Sequence, residues 1–263
     1  MTQKTACNSA VMPLVLADID DNFGHTVKKF RKYVGDENTL GTPIVIDAAG
    51  KPLSYASEKQ MAFARWLLST ATVTPVTGRS REKYLQVNLG FSGHAIVSFG
   101  GLILLADGTP DPTWYEHIAA AARAEKDVIA SYQADITRGA ADISADLKVS
   151  RIVDEGLDLL IKVQNTGEKA AEEMQQLSLV MQQLLPAGWT LHVNEGQLCA
   201  YPPFLGKELA VRYYLDNLAP AHSLLIGSGD SLTDVGFMSL CDMMLAPTQS
   251  QVFKTLHALE SHN

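Results

Sequence analysis

Two short apolar runs, each followed closely by acidic residues, stand out in the hydrophobic pattern of this chain. Residues 13–17 precede Asp18, and residues 223–226 precede a glycine turn and Asp230. Near-continuous apolar runs of this length are typical of parallel strands covered on both faces. Because the carboxyl ends of parallel strands meet at one edge of a sheet, the pattern predicts that both acidic turns lie at that edge.

Alternating and periodic patterns predict further elements between these two runs. Up to residue 106 they predict one helix, capped by Ser57, and strands at 43–47, 51–55, 71–75 and 94–99. The turn-rich stretch 107–112 then marks a break. Beyond it the predicted order is helix, strand, strand, which then repeats: 113–134, 147–153, 157–163, 168–185, 190–193 and 197–201.

This change of pattern predicts an α/β protein with a Rossmann-like parallel-sheet core and an inserted α+β module. The core would comprise residues 1–107 and 203–263, and the insertion residues 108–202. After the insertion the pattern predicts a helix at 207–218, the strand at 223–226 and a helix from Asp230 onward.

Composition and charge narrow the class of protein. The 263 residues are 46% hydrophobic and 19% charged, as in ordinary globular proteins, and the formal net charge is −8. Since no basic stripe is present, neither nucleic acid nor an anionic membrane surface is expected as the main partner. The apolar run at 11–17, interrupted by Pro13, is far too short to span a membrane. The oligomeric state is open, and a homo-oligomer is compatible with the sequence.

The cysteines give a second exclusion. Cys7, Cys199 and Cys241 are far apart in sequence and form no CxxC pair. A disulfide framework and a cysteine-ligated zinc site are therefore not expected, and the odd count fits a reducing compartment. We accordingly expect a cytoplasmic protein.

The acidic residues after the two strands are candidate ligands for a small hard cation. Asp18 and Asp20 follow the first strand, and Asp230 and Asp234 follow the last one. The spacing of four residues predicts that Asp230 and Asp234 share one face of a new helix. Carboxylate oxygens at this edge suit Mg²⁺ in a phosphoryl-transfer site.

Other residues after predicted strands suit an anionic substrate. Thr77 can donate its hydroxyl to a phosphoryl oxygen, and Gly78 lets the backbone approach closely. Lys207 supplies a positive charge for phosphate, and Arg79 either contacts the substrate or pairs with an acid. Asp18 is the candidate nucleophile and Asp20 the candidate acid and base.

The motifs together resemble those of the haloacid dehalogenase (HAD) superfamily of phosphatases, in the branch of sucrose-phosphate and Cof-like sugar phosphatases. Residues 18–22 (DIDDN) resemble its first motif, Thr77-Gly78 the second, Lys207 the third, and residues 229–234 (GDSLTD) the fourth. The resemblance spans essentially the whole chain. It implies a core of the HAD fold, a C2-type cap at 108–202, and catalysis through an aspartyl-phosphate. Its implied Mg²⁺ ligands are Asp18, the backbone carbonyl of Asp20, and Asp230, with Asp234 holding the ion or its waters.

Three features depart from that family's pattern. Asn22 stands where Thr or Val is usual, Phe99 stands where Asn often precedes glycine, and the segment 23–54 is longer than usual. The specificity of the cap is expected to depend on residues around Asn194 and Glu195, or on the turn at 154–156.

The sequence therefore predicts a Mg²⁺-dependent phosphomonoesterase acting on a small phosphorylated metabolite, with a sugar phosphate as the expected class. Two alternatives remain open. One is a phosphomutase on the same scaffold. The other is a sugar-phosphate-binding protein with weak catalysis, for which Asn22 is the supporting feature.

Overall fold

The computed structural model of the protein describes residues 11–34, 41–165, 167–194 and 197–260. Internal contacts divide the chain into two compact units. The first unit consists of the residues up to Pro75, 86–93 and those from Tyr214 onward; the second consists of 76–85 and 94–213. This grouping by internal contacts does not test where the core ends and the insertion begins. The boundaries at 107/108 and 202/203 therefore stay predictions.

Strands and helices are numbered in chain order. The strands are β1 (Leu14–Ala17), β2 (His25–Thr26), β3 (Thr42–Ile46), β4 (Pro52–Ala56), β5 (Thr72–Pro75), β6 (Ala95–Val97), β7 (Leu102–Leu104), β8 (Leu147–Asp154), β9 (Leu157–Asn165), β10 (Thr190–Asn194), β11 (Gln197–Tyr201), β12 (Leu225–Ser228) and β13 (Met243–Leu245). The helices are α1 (Val27–Tyr33), α2 (Glu58–Thr70), α3 (Arg81–Tyr84), α4 (Pro112–Ala124), α5 (Lys126–Ile143), α6 (Ala170–Gln183), α7 (Lys207–Asn217), α8 (Leu232–Met238) and α9 (Gln251–Glu260).

A parallel sheet organises the first unit. Its spatial order is β13-β12-β1-β5, so β1 is an inner strand with a parallel neighbour on each side. All four residues of β1 are buried, and full burial of a leucine or valine side chain contributes about 1.5–3 kcal/mol. At the carboxyl end, Ala17 pairs with both Ser228 of β12 and Pro75 of β5. The predicted α/β fold with a parallel sheet is confirmed.

The residues between β1 and β5 form a smaller antiparallel sheet and the helices α1 and α2. The predicted hairpin is β3 and β4, and β2 pairs with the other side of β4. Helix α2 begins at a capping box in which Ser57 and Gln60 each bond to the other's backbone N–H. One face of α2 joins the core of this unit, whose buried members are Val15, Ala17, Phe23, Ile44, Val45, Ala56, Ala64, Leu67, Ala71, Val73 and Leu89.

The second unit contains an antiparallel sheet with helices packed on it. Its order is β10-β11-β9-β8, and α5 and α6 both contact this sheet. This is the predicted repeat of helix, strand, strand. The helices and the sheet share one core, whose buried members are Ile129, Tyr132, Ile136, Ala140, Leu147, Ile161, Val163, Met174, Leu177, Met181, Trp189, Leu198 and Ala200.

Two predicted elements differ in the structure. The single helix predicted at 113–134 is two helices, because the chain breaks at Glu125 (φ −89°, ψ 0°) and α5 then continues to Ile143. The indole N–H of Trp189 donates to the Glu125 carboxylate across 3.3 Å, a contact from a distant residue that the local pattern does not contain. The strand predicted at 94–99 ends at Val97, and a 3₁₀ turn follows at Ser98–Gly100.

Across residues 11–34, 41–165, 167–194 and 197–260, no helix combines the length and the apolar character needed to cross a lipid bilayer.

Candidate active site

Three carboxylates meet at the carboxyl edge of the parallel sheet. Asp18 directly follows β1, and its N–H donates to the carbonyl of Ser228 at the end of β12 (2.8 Å). One side-chain oxygen each from Asp18, Asp230 and Asp234 lies within 4.8 Å of the other two. Asp18 and Asp234 are buried, and Asp230 is partly buried. We call these three residues the acid cluster. Three carboxylates this close repel one another unless a cation lies among them, and their oxygens are the ligands that Mg²⁺ prefers.

The side chain of Asp234 reaches the acid cluster in a way that differs from the prediction. Helix α8 begins at Leu232, so Asp230 precedes the helix and the predicted shared helical face is wrong. Instead, Oδ2 of Asp234 accepts hydrogen bonds from the N–H of Asp230 (3.2 Å), the N–H of Ser231 (2.9 Å) and the hydroxyl of Ser231 (2.8 Å). The side chain therefore folds back over the N-terminus of its own helix.

Gly229 makes this arrangement sterically possible. A Cβ atom at Gly229 would lie 2.5 Å from the Cβ of Asp234, closer than real side chains approach. The glycine of the GDxxxD motif is thus explained by the close approach of Asp234 to the backbone.

Asp20 lies in the tight turn after β1 and is not a member of the acid cluster. The turn is closed by the Asp21 N–H, which donates to the Gly24 carbonyl (2.8 Å), and by the Phe23 N–H, which donates to Ile19 (2.9 Å). The role of proton donor and acceptor for Asp20 stays a prediction.

Asn22, the departure from the usual first motif, connects the two central strands. Its side-chain NH₂ donates to the carbonyl of Asp18 (3.0 Å) and to the hydroxyl of Ser228 (3.0 Å). The residue is 4% exposed. Asn22 therefore holds the backbone of the candidate nucleophile against β12.

Replacing Asn22 by alanine is expected to lower the free energy of unfolding by about 1–3 kcal/mol, because two buried polar groups lose their donor. Urea denaturation measures this loss. Ser69→Ala, at an exposed hydroxyl that bonds within its own helix, is the control and should change stability by less than about 0.5 kcal/mol. An equally small change for Asn22→Ala would show that its bonds contribute nothing net.

A lysine of α1 lies close enough to Asp230 of the acid cluster to interact with its charge. In α1, Lys28, Arg31 and Lys32 are exposed, but Lys29 is partly buried and forms an ion pair with Asp21. Burial lowers the pKa of Lys29, but the negative charges of Asp21, Asp230 and Asp20 outweigh it and raise the pKa. The positions of the charged residues along α1 do not indicate that Lys29 is partly buried.

Asp21 is held between two partners. Its Oδ1 lies 2.8 Å from Nδ1 of His25, and its Oδ2 pairs with Lys29. Burial raises the pKa of Asp21, but the hydrogen bonds from His25 and Lys29 more than offset this and lower the pKa. The side-chain amide of Gln60 donates to Nε2 of His25 (3.1 Å), so Nδ1–H of His25 donates to Asp21. Asp21 stays ionised and keeps Lys29 in place.

The residues predicted to bind phosphate lie in the second unit. Thr77 is fully buried; its N–H donates to Ile96 (2.8 Å) and its hydroxyl accepts from the Arg79 N–H (3.2 Å). A Cβ atom at Gly78 would lie 2.4 Å from the ring of Phe99, so a larger residue there would require that ring to move. We call residues 77–79 the threonine loop.

The segment after β6 fixes the shape of the threonine loop. The N–H of Ser98 donates to the carbonyl of Arg79 (2.7 Å), and that of Phe99 donates to the carbonyl of Thr77 (3.1 Å). Ser98 (φ 53°) and Phe99 (φ 56°) both adopt the left-handed conformation, which costs about 1–2 kcal/mol for each non-glycine residue. Phe99 thus replaces the usual asparagine in a strained turn and covers Gly78 with its ring.

Lys207 is the first residue of α7 and is 7% exposed. It follows Gly206, whose carbonyl would lie 2.4 Å from a Cβ atom at Gly100. The strained segment 98–100 therefore packs against both the threonine loop and the backbone next to Lys207. A cation at a helix N-terminus is electrostatically unfavourable, and the phosphate-binding role of Lys207 stays a prediction.

Cysteine chemistry is not available at the two described cysteines. Burial raises the pKa of the Cys199 thiol and raises the pKa of Cys241 to about 11. Raised pKa values disfavour the thiolate, so neither cysteine is a candidate nucleophile. Cys7 and Glu195, and the side chain of Asn194, lie outside the described residues.

The structure thus brings together Asp18, Asp230 and Asp234 in the first unit, with Asp20 in the adjoining turn. In the second unit, the segment 98–100 lies against both the threonine loop and Gly206, the residue before Lys207. Sequence reasoning missed Lys29, Ser98 and Ser231, for which neither spacing nor residue type gave a signal.

No protein-family model matches the sequence, and no curated protein matches it. Solved structures do. The C-terminal domain of trehalose-6-phosphate phosphatase from C. albicans matches with a TM-score of 0.53 and 12% identity over 88% of this chain and 74% of that one. A Thermoplasma acidophilum protein matches with a TM-score of 0.52 and 12% identity over 94% of this chain and 89% of that one.

A phosphatase of the HAD superfamily from Bacteroides thetaiotaomicron also matches, with a TM-score of 0.48 and 13% identity over 99% of each chain. Sequence identities this low indicate a shared fold but do not establish a shared activity. This chain therefore shares its overall fold with the solved structures that it matches, and the predicted α/β class with a parallel sheet is confirmed.

Proposed function

We propose that the protein is a Mg²⁺-dependent phosphomonoesterase that hydrolyses a small phosphorylated metabolite, with sugar phosphates as the expected class. The observation that carries this proposal is the acid cluster, in which Asp18 directly follows an inner strand of the parallel sheet. The cluster supplies both a carboxylate nucleophile and hard oxygen ligands for a cation.

Asp18 is the proposed nucleophile and Asp20 the proposed acid and base. The Asp18 oxygen forms a bond to phosphorus while the bond from phosphorus to the leaving alcohol breaks, and Asp20 gives its proton to the alcohol oxygen. Water then attacks phosphorus as the bond from phosphorus to the Asp18 oxygen breaks, Asp20 takes up a proton from the water, and free phosphate and the Asp18 carboxylate result. Mg²⁺, when bound, neutralises charge on the phosphoryl oxygens and on the nucleophile. Its proposed ligands are Asp18, Asp20 through the backbone carbonyl, and Asp230, with Asp234 supporting.

Thr77, Gly78, Arg79 and Lys207 are the proposed phosphate-binding residues. The order of the motifs along the chain supports this assignment, as does the shape of the threonine loop. A buried lysine and a threonine hydroxyl provide a positive charge and a donor for the transferring phosphoryl group. Lys29, whose pKa is raised mainly by its ion pair with Asp21, adds a cation that attracts anions to this edge of the sheet.

The expected substrate class is supported by one relative. The C. albicans protein that shares the fold is named for its action on trehalose 6-phosphate. Sugar phosphates are therefore the first compounds to test, together with other phosphorylated metabolites.

The direct test is phosphate release from a panel of phosphorylated metabolites with Mg²⁺, and again after chelation by EDTA. We expect turnover of at least one sugar phosphate and a loss of at least about a hundredfold on chelation, because charge neutralisation at the phosphoryl group is lost. Restoring Mg²⁺ should restore the rate. Asp230→Asn should lose the response to Mg²⁺, whereas Asp127→Asn, at an exposed acid in α5, should behave as wild type.

Other outcomes distinguish the alternatives. An isomeric sugar phosphate formed without phosphate release would indicate a phosphomutase. Tight binding of phosphate without turnover of any compound would indicate a binding protein. Turnover that is unchanged by EDTA would contradict the role of the acid cluster.

A further inference from the structure

The tip of the β8–β9 hairpin is fastened to the threonine loop and its neighbours by a buried carboxylate. Asp154, the last residue of β8, is 8% exposed. Its Oδ2 accepts a hydrogen bond from the N–H of Arg81 (2.7 Å) and another from the hydroxyl of Ser98. Arg81 lies two residues after the threonine loop, and Ser98 bonds to that loop directly. One carboxylate oxygen thus connects the two segments that determine the loop's shape.

Neighbouring contacts strengthen this attachment. The guanidinium of Arg81 donates to the Glu155 carboxylate (2.9 Å) and to the carbonyl of Gly108 (2.9 Å). The hydroxyl of Tyr115 donates to the carbonyl of Glu155 (3.1 Å). Glu155 has a φ of 47° and Gly156 a φ of 79°, so the hairpin turn is tight, and it follows Asp154 at once.

The strain in the 98–99 segment explains why such an anchor is needed. Two consecutive non-glycine residues in the left-handed conformation persist only where surrounding contacts over-determine them. The backbone N–H groups of Ser98 and Phe99 are used to hold Arg79 and Thr77, so the segment itself must be held by other groups. The Ser98 hydroxyl bond to Asp154 is such a contact.

We propose that Asp154 is a positioning residue: through Ser98 and Arg81 it holds the threonine loop in the shape that binds phosphate. This inference rests on the proposed function, because the proposed function assigns phosphate binding to the threonine loop. It makes the hairpin tip of the antiparallel sheet part of the phosphate-binding apparatus without contact between Asp154 and the ligand.

The test compares Asp154→Ala and Ser98→Ala with Asp158→Asn. Asp158 lies in the same hairpin and pairs with Arg151 (2.9 Å), so it controls for general damage to the sheet. Inorganic phosphate, titrated calorimetrically in the presence of Mg²⁺, is the probe. We expect the dissociation constant for phosphate to rise about tenfold or more in Asp154→Ala, and by a smaller factor in Ser98→Ala, while Asp158→Asn stays within about twofold of wild type.

Kinetics and hydrogen exchange separate positioning from mere stabilisation. KM should rise more than kcat falls in Asp154→Ala, and the amides of Arg81 and Phe99 should exchange faster than in Asp158→Asn without any ligand present. A lower thermal midpoint with wild-type phosphate affinity would overturn the proposal. If Asp154→Ala does not fold, Asp154→Asn and Ser98→Ala decide by the same measurements.

Failure of the proposed function is distinguishable from failure of this inference. A wild-type protein that neither binds phosphate nor hydrolyses a phosphoester overturns the proposed function, and with it the phosphate-binding role of the loop. Unchanged exchange at Arg81 and Phe99 in Asp154→Ala overturns the positioning role of Asp154 itself.

Discussion

Replacing Asp18 by asparagine is expected to lower kcat for phosphoester hydrolysis by at least about 10³-fold while the protein stays folded. The change removes the nucleophilic carboxylate and one acid of the cluster but keeps the size of the side chain. The bonds made by the backbone of residue 18, to Ser228 and from Asn22, do not depend on the side chain. Steady-state kinetics with the best substrate of the panel, together with circular dichroism, measures both effects.

Asp47→Asn is a matched control for Asp18→Asn. Asp47 also directly follows a strand, β3, but its carboxylate accepts bonds from the N–H groups of Ala49 and Lys51 in an exposed turn. Asparagine keeps an oxygen for these bonds, so wild-type kinetics are expected. A hydrolysis rate within tenfold of wild type in Asp18→Asn would exclude Asp18 as the nucleophile.

Replacing Lys207 by alanine is expected to lower kcat/KM by about 10²–10³-fold, because a positive charge for the transferring phosphoryl group is lost from a buried position. Folding should be retained, since the unfavourable placement of a lysine at a helix N-terminus is removed at the same time. The measurement is again steady-state kinetics, with the thermal midpoint as the check of folding.

Lys126→Ala is the matched control for Lys207→Ala. Lys126 is likewise the first residue of a helix, α5, but it is exposed. Its replacement should leave kcat/KM unchanged. Equal kinetics for Lys207→Ala and wild type would return Lys207 to a purely structural role.

The parallel sheet was predictable because its signal is local. An apolar run such as residues 13–17 can be fully buried only with partners on both sides, and the acids that follow it must then lie at the sheet edge. The hairpin β3–β4 and the capped start of α2 depend on neighbouring residues in the same way. These elements were confirmed at close to their predicted bounds.

Elements determined by distant contacts were not predictable. The break at Glu125 has no glycine or proline to announce it. The left-handed pair Ser98 and Phe99 is likewise formed from residues with no preference for that conformation, and contacts with the threonine loop and with Asp154 hold it. Tertiary contacts overrode local propensity at both places.

Three of the four predicted metal ligands form the acid cluster, but partly for a reason other than the one predicted, and the side chain of Asp20 is not among them. Asp18, Asp230 and Asp234 do converge, although Asp234 does so by folding back onto backbone N–H groups and not by sharing a helical face with Asp230. Asn22 was identified in the sequence only as a departure from the usual first motif. Its partners, a carbonyl four residues earlier and a hydroxyl 206 residues later, depend on strand pairing that no spacing in the sequence reveals.

The pairing of β1 with β12 affects how the protein folds during synthesis. The nascent chain presents β1 to its neighbour β5 early, but the strand on its other side emerges from the ribosome only after more than two hundred further residues. Until then β1 is an open apolar edge, and closing so long a loop makes this a slow step. A chain cut short before Leu225 would leave Asp18 without its two partner acids, so activity should appear only after residues 225–234 have been synthesised.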